Sequence, residues 1–319
     1  MPGHNGMYYP YFRGKQFDLL AVRECAKLFA ASGFVPIIEP VRESLNGLKR
    51  VIDDLKENKA SAVLVVNPYY GDHTEKADSL HALIDSELND YENISVGILL
   101  SSNMNTWKAI ELSEKYKNKP LTFIHADFPE PKDLSIAITN EGIKADHVFF
   151  EAHCGKLYRR HFDSPQRILL RDGFKRQPNS KYPDVEPFSD LHVTYSEEGM
   201  TGFGDFLIVG DEYSESGGPA YAVAIHLTFI DKEMDDAMFV HHFKSDRQDT
   251  PTDPAGKFYE ALTKLVKEVN SEDSKVYKSS AVKEFIRLHE SGHFPGLGYI
   301  KKLSMKHHVE TLAKYLSEG

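Results

Sequence analysis

The chain has 319 residues, of which 41% are hydrophobic, and it carries a formal net charge of −10 with a sequence pI near 5.8. This length and composition suit one large α/β domain or two smaller ones, and the acidic balance argues against broad non-specific binding to nucleic acid, which needs a basic surface. No apolar run approaches the roughly 18 residues of a membrane-spanning helix, and the two cysteines, Cys25 and Cys154, are typical of reduced thiols in a cytoplasmic protein.

Residues 1–6 are interpreted as a cloning scar or a loose arm, with Met7 as the natural start. Eight short strand-like segments follow, at 8–12, 35–39, 62–67, 96–100, 121–125, 147–151, 167–170 and 205–209, and most are separated by helical patterns. Continuous apolar strands that alternate with helices are typical of a parallel sheet buried on both faces. We therefore expect an α/β fold, a closed (β/α)8 barrel of the TIM-barrel type.

The pattern changes in the second half of the chain. Residues 173–203 are polar and contain no clear amphipathic helix, so they are expected to form either a lid or an ordinary surface loop. An antiparallel hairpin is predicted at 222–230 and 237–243, and helices are predicted at 254–269, 280–290 and 304–316. We expect a single domain over 7–319: a barrel (7–218), a hairpin (219–250) and C-terminal helices packed on the barrel (251–319).

Six of the apolar runs end abruptly in polar residues. The carboxyl ends of the strands form the ligand-binding mouth of such barrels, so these side chains are expected to converge there. Five are predicted to be catalytic, as acids, bases or metal ligands: Glu39, His125, Asp127, Glu151 and Asp172. His153 belongs to the same set, and Asn67, which also ends a strand, is assigned to ligand binding.

Two alternatives to acid–base catalysis remain open for this set. The oxygen and nitrogen donors are of the kind that hold Mg²⁺, Mn²⁺ or Zn²⁺, although neither a His-x-His pair after the first strand nor a His-Glu-x-x-His motif is present. Each polar residue could also simply cap its strand. A divalent metal is therefore left undecided.

Arg13 and Lys15 follow the first strand directly. Paired cations at a barrel mouth can neutralise a phosphate or a carboxylate, and both are predicted to bind ligand. The alternative is that they form internal ion pairs with Glu39 and Asp127. The two interpretations are compatible, because an internal ion pair can open to accept an anion.

A locally basic segment, residues 156–176, contains Arg159, Arg160, Arg171 and Arg176. It could recruit a phosphorylated small molecule or a nucleic-acid strand, with Tyr158, Phe162 and Phe174 stacking on bases. Arg171 and Arg176 are accordingly assigned to ligand binding. The alternative is a solvated helix face and loop.

The segment 210–218, which includes Glu212, follows the last predicted barrel strand. Its glycines could expose backbone N–H groups, but its acids would repel an anion, so Glu212 is expected to recognise a hydroxyl or a cation. No P-loop and no Gly-x-Gly-x-x-Gly motif is present. In the hairpin, alternation places His241 and His242 on opposite faces, and a buried, hydrogen-bonded histidine is the favoured interpretation.

The segment 7–17, MYYPYFRGKQF, resembles the opening of an uncharacterised bacterial family, as do the blocks at 204–217, 221–226, 241–246 and 295–298. More distantly, the chain resembles the phage and bacterial "beta protein" family. The resemblance implies a barrel-like fold and a setting among mobile or phage-defence genes. It implies no established reaction.

Two functions follow from these patterns. The first is a barrel that binds or acts on an anionic, phosphate-containing ligand at its mouth, for example as a phosphoester hydrolase. The second is a non-catalytic sensor or partner subunit that binds nucleic acid or another protein, the latter through 251–319. Neither involves a membrane.

Overall fold

A computed structural model describes residues 7–89, 91–215, 218 and 220–318. The predicted scar or arm at 1–6 lies outside the described residues. The chain divides into two compact units. Unit 1 extends to Arg171 and includes Thr194–Asp205, and unit 2 comprises Asp172–Val193 and Phe206–Gly319.

Unit 1 is a closed barrel of eight parallel strands. In chain order these are β1 Met7–Phe12, β2 Ile37–Ile38, β3 Ala62–Val65, β4 Ile94–Ser101, β5 Leu121–Ala126, β6 Asp146–Phe150, β7 Arg167–Leu170 and β9 Gly202–Asp205. Each strand pairs with the next, and β9 closes the ring onto β1. The expected (β/α)8 barrel of the TIM-barrel type is confirmed.

Six helices connect the first seven barrel strands. They are α1 Gln16–Ser32, α2 Asn46–Asn58, α3 Asp78–Glu87, α4 Thr106–Lys115, α5 Pro131–Asn140 and the short α6 Lys156–Arg159. Local sequence fixes their ends: Gly33 ends α1 in the left-handed conformation at φ 67°, and the Asn105 side chain caps α4 by accepting from the N–H of Lys108.

The eighth barrel strand lies three residues earlier than the predicted 205–209. The observed strand contains Gly202 and Gly204, and its neighbours leave no room for a side chain at Gly204. A Cβ on Gly204 would lie 2.1 Å from the carbonyl oxygen of Tyr9 and 2.3 Å from Leu170. The strand sequence Gly-Phe-Gly-Asp therefore lacks the apolar run by which strands are found in a sequence.

Unit 2 is built around a three-stranded antiparallel sheet in the order β10–β11–β8. β8 is Val185–Ser189, β10 is Ala224–Asp231 and β11 is Ala237–Lys244. The predicted hairpin is confirmed. The segment 173–203, expected to form a lid or an ordinary surface loop, also contains β8, a 3₁₀ turn at Asn179–Lys181 and the helical turn α7 Leu191–Thr194, none of which was predicted. Pro187 is tolerated in β8 because that strand is an edge of the sheet.

Three helices complete unit 2: α8 Pro254–Val269, α9 Ser280–Ser291 and α10 Leu297–Glu318. One sheet face, with Ile225, Leu227 and Phe243, packs against α8 and α9 in an apolar core. The last helix begins seven residues earlier than predicted. No helix in the described part of the chain has the length and hydrophobicity to span a membrane.

Candidate functional site

The pairing register shows which side chains point into the barrel. Tyr11 pairs with Ile37, and Ile37 with Val63, so these positions share one face. That face is the interior, because the Tyr11 ring lies 5.5 Å from the ring of Phe150, on a strand that does not neighbour β1. Alternation then turns the positions of Arg13 and Glu39 inward at the carboxyl end.

Glu39 is 1% exposed, and its carboxylate is surrounded by donors. Oε1 accepts from the backbone N–H groups of Tyr69 at 2.8 Å and Tyr70 at 3.4 Å. Oε2 accepts from the Tyr11 hydroxyl at 2.9 Å and lies 3.3 Å from Nε of Arg13. Three donors other than Arg13 therefore stabilise the buried charge.

Arg13 is held between aromatic rings at the mouth. Its side chain is 10% exposed, and its Cζ lies 5.6 Å from the ring centre of Tyr11 and 5.0 Å from that of Tyr70, which are cation–π distances. The 3.3 Å contact with Glu39 is longer than the roughly 2.7–2.9 Å of a charge-assisted hydrogen bond. Lys15, the other predicted cation, is partly exposed at the start of α1, where its N–H donates to Asp18 at 3.4 Å.

Asn67 extends the sheet with its side chain. Its Nδ2 donates to the carbonyl of Leu99 at 2.8 Å, and its Oδ1 accepts from the N–H of Leu99 at 2.9 Å. The amide thus pairs with β4 as a backbone residue would. It fixes the start of the loop that carries Tyr69 and Tyr70.

His125 lies on the other face of its strand, outside the barrel. Its Nδ1 is 2.8 Å from the Tyr158 hydroxyl and its Nε2 is 2.9 Å from Nδ1 of His147, among the rings of Phe149 and Phe162. Burial lowers the pKa of His125 well below its ordinary value and that of His147 to about 3. The structure therefore places His125 in a buried aromatic cluster and not at the mouth.

Glu151 and Arg171 form a two-pronged ion pair at the ends of β6 and β7. Nε of Arg171 lies 2.6 Å from Oε2 of Glu151, and Nη2 lies 2.9 Å from Oε1. Both residues continue the strand ladder through their N–H groups, so alternation turns them outward from the interior. They lie at the carboxyl ends of the strands, as predicted, but on the outer side of the rim.

Asp127 ends β5 as an exposed residue in the left-handed conformation, with φ 70°. Few residues other than glycine adopt this backbone, although Asp tolerates it better than most. Among the predicted catalytic acids of unit 1, it is the one whose side chain is exposed; His153, from the same set, is also exposed.

Three predicted site residues belong to unit 2. The Asp172 carboxylate accepts from the N–H of Phe174 at 2.9 Å and from the N–H of Asp211 at 2.8 Å. Arg176 donates to the carbonyl of Glu212 at 3.1 Å. These contacts stabilise the segments that follow β7 and β9 in the chain.

The basic segment 156–176 is largely ion-paired within the protein. Arg159 is buried and donates to Glu198 at 2.8 Å, and Arg167 donates to the carbonyl of Arg159 at 2.9 Å. Phe162 and Phe174 are 3% and 6% exposed, so they are packed inside and not presented to a base. Arg160 is exposed.

Unit 2 contains a histidine chain. His226 pairs with His242 across the hairpin, with 2.7 Å between their Nδ1 atoms, and Nε2 of His242 lies 3.1 Å from Glu186. Burial lowers the pKa of His226 to about 3 and that of His242 to about 4. His241 stacks on Phe243 on the opposite face, as alternation predicts.

The sequence interpretation overlooked the tyrosines of the mouth, Tyr11, Tyr69 and Tyr70. A signal was present: the strand end at Asn67 is followed by Pro-Tyr-Tyr-Gly, an aromatic pair inside a turn. Among the described residues, no group of three or more His, Cys, Asp or Glu side chains is arranged to hold a metal ion.

No protein-family model matches the chain, and no curated protein matches it in sequence. Among solved structures it is similar to a dihydrodipicolinate synthase family protein from Coccidioides immitis, at 11% identity and a TM-score of 0.40, over 98% of this chain and 84% of that one. Similarity at this level says nothing about the reaction.

Proposed function

We propose that the chain binds an anionic, phosphate-containing ligand at the carboxyl end of the barrel, with Arg13 as the cation that receives it. The observation that carries the proposal is the position of Arg13, a largely buried cation held between the rings of Tyr11 and Tyr70 on the inner side of the mouth. The Glu39 carboxylate has three donors besides Arg13, so its buried charge stays hydrogen-bonded when Arg13 also contacts an anion.

The surroundings of Arg13 favour anion binding. The guanidinium is oriented by two aromatic faces and is largely removed from water, which strengthens its attraction for a phosphate. Phosphoester hydrolysis is the reaction we propose for this site. Asp127 is the proposed general base, because it is the predicted catalytic acid of unit 1 whose carboxylate is exposed. We further propose a phage-defence role, on the resemblance alone, and a cytoplasmic location, which two buried free thiols support.

The test compares Arg13→Gln with Arg23→Gln, an arginine on α1 that lies 2.6 Å from Asp54 and is 32% exposed. Titration with inorganic phosphate and with ribose 5-phosphate, followed by calorimetry, should show binding that Arg13→Gln weakens about tenfold or more. Arg23→Gln should bind as the parent does. Arg13→Lys keeps the positive charge but loses the paired N–H donors of the guanidinium, so its affinity for phosphate should lie between those of the parent and Arg13→Gln.

The absence of saturable phosphate binding by the parent protein at millimolar concentrations would reject the proposal. Release of nitrophenol from p-nitrophenyl phosphate, lost in Asp127→Asn, would establish the hydrolase. Phosphate binding without turnover of a phosphoester panel would instead assign the chain to the non-catalytic sensors.

A further inference from the structure

Tyr69 presents an aromatic ring to solvent at the rim of the barrel. The residue is 40% exposed, and its ring meets that of Tyr70 edge to face, with 4.9 Å between ring centres and a 90° interplanar angle. An exposed aromatic ring braced by a second one is a stacking platform of the kind that binds nucleobases.

The loop that carries Tyr69, residues 66–77, is held rigidly against the loop after β2. Gly71, at φ 81°, approaches so closely that a Cβ there would lie 2.1 Å from the carbonyl oxygen of Val41. The N–H of Asp72 donates to that carbonyl, the Asp72 carboxylate accepts from the N–H of Glu43 at 2.7 Å, and His73 bonds to the carbonyl of Arg42 at 2.8 Å. The platform is therefore preorganised.

Glu39 acts in this arrangement as a positioning residue. One oxygen holds the backbone of Tyr69 and Tyr70, and the other faces Tyr11 and Arg13. A single buried carboxylate thus connects the exposed ring to the cation.

The platform and the cation are close enough for one small ligand. The Tyr69 ring centre is 4.9 Å from that of Tyr70, which is 5.0 Å from Cζ of Arg13, so the outer ring lies within about 10 Å of the guanidinium. One sugar can span a separation below this bound between an aromatic base and a phosphate.

We propose that the ligand of the mouth is a free nucleotide, a nucleoside 5′-monophosphate whose base stacks on Tyr69 and whose phosphate is held by Arg13. This inference rests on the proposed function, which supplies the phosphate at Arg13, and adds the base. It also gives the exposed Tyr69 a role. Of the three aromatic residues that the sequence offered for stacking, Phe162 and Phe174 are packed inside, and the hydroxyl of Tyr158 is hydrogen-bonded to the buried His125.

The experiment measures the affinities of AMP, ribose 5-phosphate and adenosine by calorimetry for the full chain and four variants. Tyr69→Leu removes the aromatic ring and keeps an apolar side chain, whereas Tyr69→Phe keeps the ring and loses only the hydroxyl. Arg13→Gln removes the cation. Tyr277→Leu is the matched control, because Tyr277 is also 40% exposed but lies in unit 2.

AMP should bind about tenfold or more tightly than ribose 5-phosphate, because stacking of one base contributes on that scale. Tyr69→Leu should abolish this advantage, while Tyr69→Phe and Tyr277→Leu retain it. GMP, CMP and UMP should follow the same pattern with smaller differences among themselves.

The two proposals fail in different ways. Equal binding of AMP and ribose 5-phosphate, both weakened by Arg13→Gln, would overturn the nucleotide and leave the phosphate site standing. No binding of either phosphate would overturn both. If a 5′-phosphorylated adenosine pentamer bound more tightly than AMP, the free nucleotide would be overturned, and the ligand would instead be the end of a nucleic-acid strand.

Discussion

The carboxylate of Glu39 connects the barrel interior, the cation and the exposed loop, so its replacement should cost more than the loss of one ion pair. Both carboxylate oxygens of Glu39 face donors, so the NH₂ group of Glu39→Gln meets donors in either orientation of the amide. We expect a loss of about 3 kcal/mol in the free energy of unfolding, measured by urea denaturation, because one partner of a buried charged network is removed.

Asp54→Asn provides the control for this prediction. Asp54 is 29% exposed and pairs with Arg23 on the helical surface, so its loss should cost less than about 1 kcal/mol. Equal destabilisation by the two substitutions would contradict the central role that we give to Glu39.

The backbone at Asp127 makes a separate prediction. Because φ is 70°, glycine should relieve strain there, and Asp127→Gly should raise the free energy of unfolding by about 0.5–1 kcal/mol. Lys59→Gly, at φ 57° where α2 ends, should give a gain of similar size and calibrates the measurement.

If Asp127 is the base of a phosphoester hydrolase, the gain in stability comes with a loss of activity. Both Asp127→Gly and Asp127→Asn should then lose turnover of p-nitrophenyl phosphate, although only the glycine variant becomes more stable. A destabilised but active Asp127→Gly would overturn both parts of this expectation.

At the scale of elements, the closure of the barrel depends on the small strand β9. Gly204→Ala would place a methyl group within 2.1 Å of the Tyr9 carbonyl oxygen, between two strands that cannot separate without opening the ring. We expect destabilisation of about 3 kcal/mol or more, or failure to fold.

Gly155→Ala is the matched control for the closing strand. Nothing lies within 4 Å of a Cβ at Gly155, and its φ of −63° suits any residue. Circular dichroism shows whether each variant folds, and urea denaturation measures its free energy of unfolding. A Gly204→Ala protein as stable as Gly155→Ala would show that the barrel tolerates expansion at this position.

The elements that the sequence predicted well are those whose signal is local. Seven barrel strands and the hairpin appear as apolar runs, and their approximate positions follow from the run itself. β8 could not be found this way, because Val185–Ser189 has no apolar run, contains Pro187 and pairs with β11, some fifty residues further along the chain. Its strand character comes from the partner and not from its own residues.

The same reasoning explains the outcome for the site. Glu39 and Arg13 follow neighbouring strands directly, and this predicted that they lie together at the mouth, because the carboxyl ends of neighbouring parallel strands lie side by side. A position at a strand end does not show to which side of the barrel wall a side chain points. His125, Glu151 and Arg171, which point outward, were therefore grouped with residues that point inward. Nor does such a position reveal Tyr69, whose place depends on backbone contacts made by Glu39 and Gly71.

For the whole molecule, the buried histidines predict how stability depends on pH. His125 and His147 in unit 1, and His226, His242 and His307 in unit 2, all have pKa values lowered by burial, to about 4 for His307. Below pH 6.5 the unfolded chain takes up protons that the folded chain does not. The free energy of unfolding should therefore be fully present above that pH and decrease as the pH falls from 6.5 towards 4.

Each histidine contributes up to about 1.4 kcal/mol per pH unit to this slope. Urea denaturation between pH 7.5 and 4.5 measures this slope. His147→Phe replaces one titrating ring inside an aromatic cluster, so it should reduce the slope by the contribution of one histidine. Phe162→Leu in the same cluster should lower stability equally at every pH. A free energy of unfolding that stays constant down to pH 5 would mean that these imidazoles accept protons in the folded state, and that the clusters open to water.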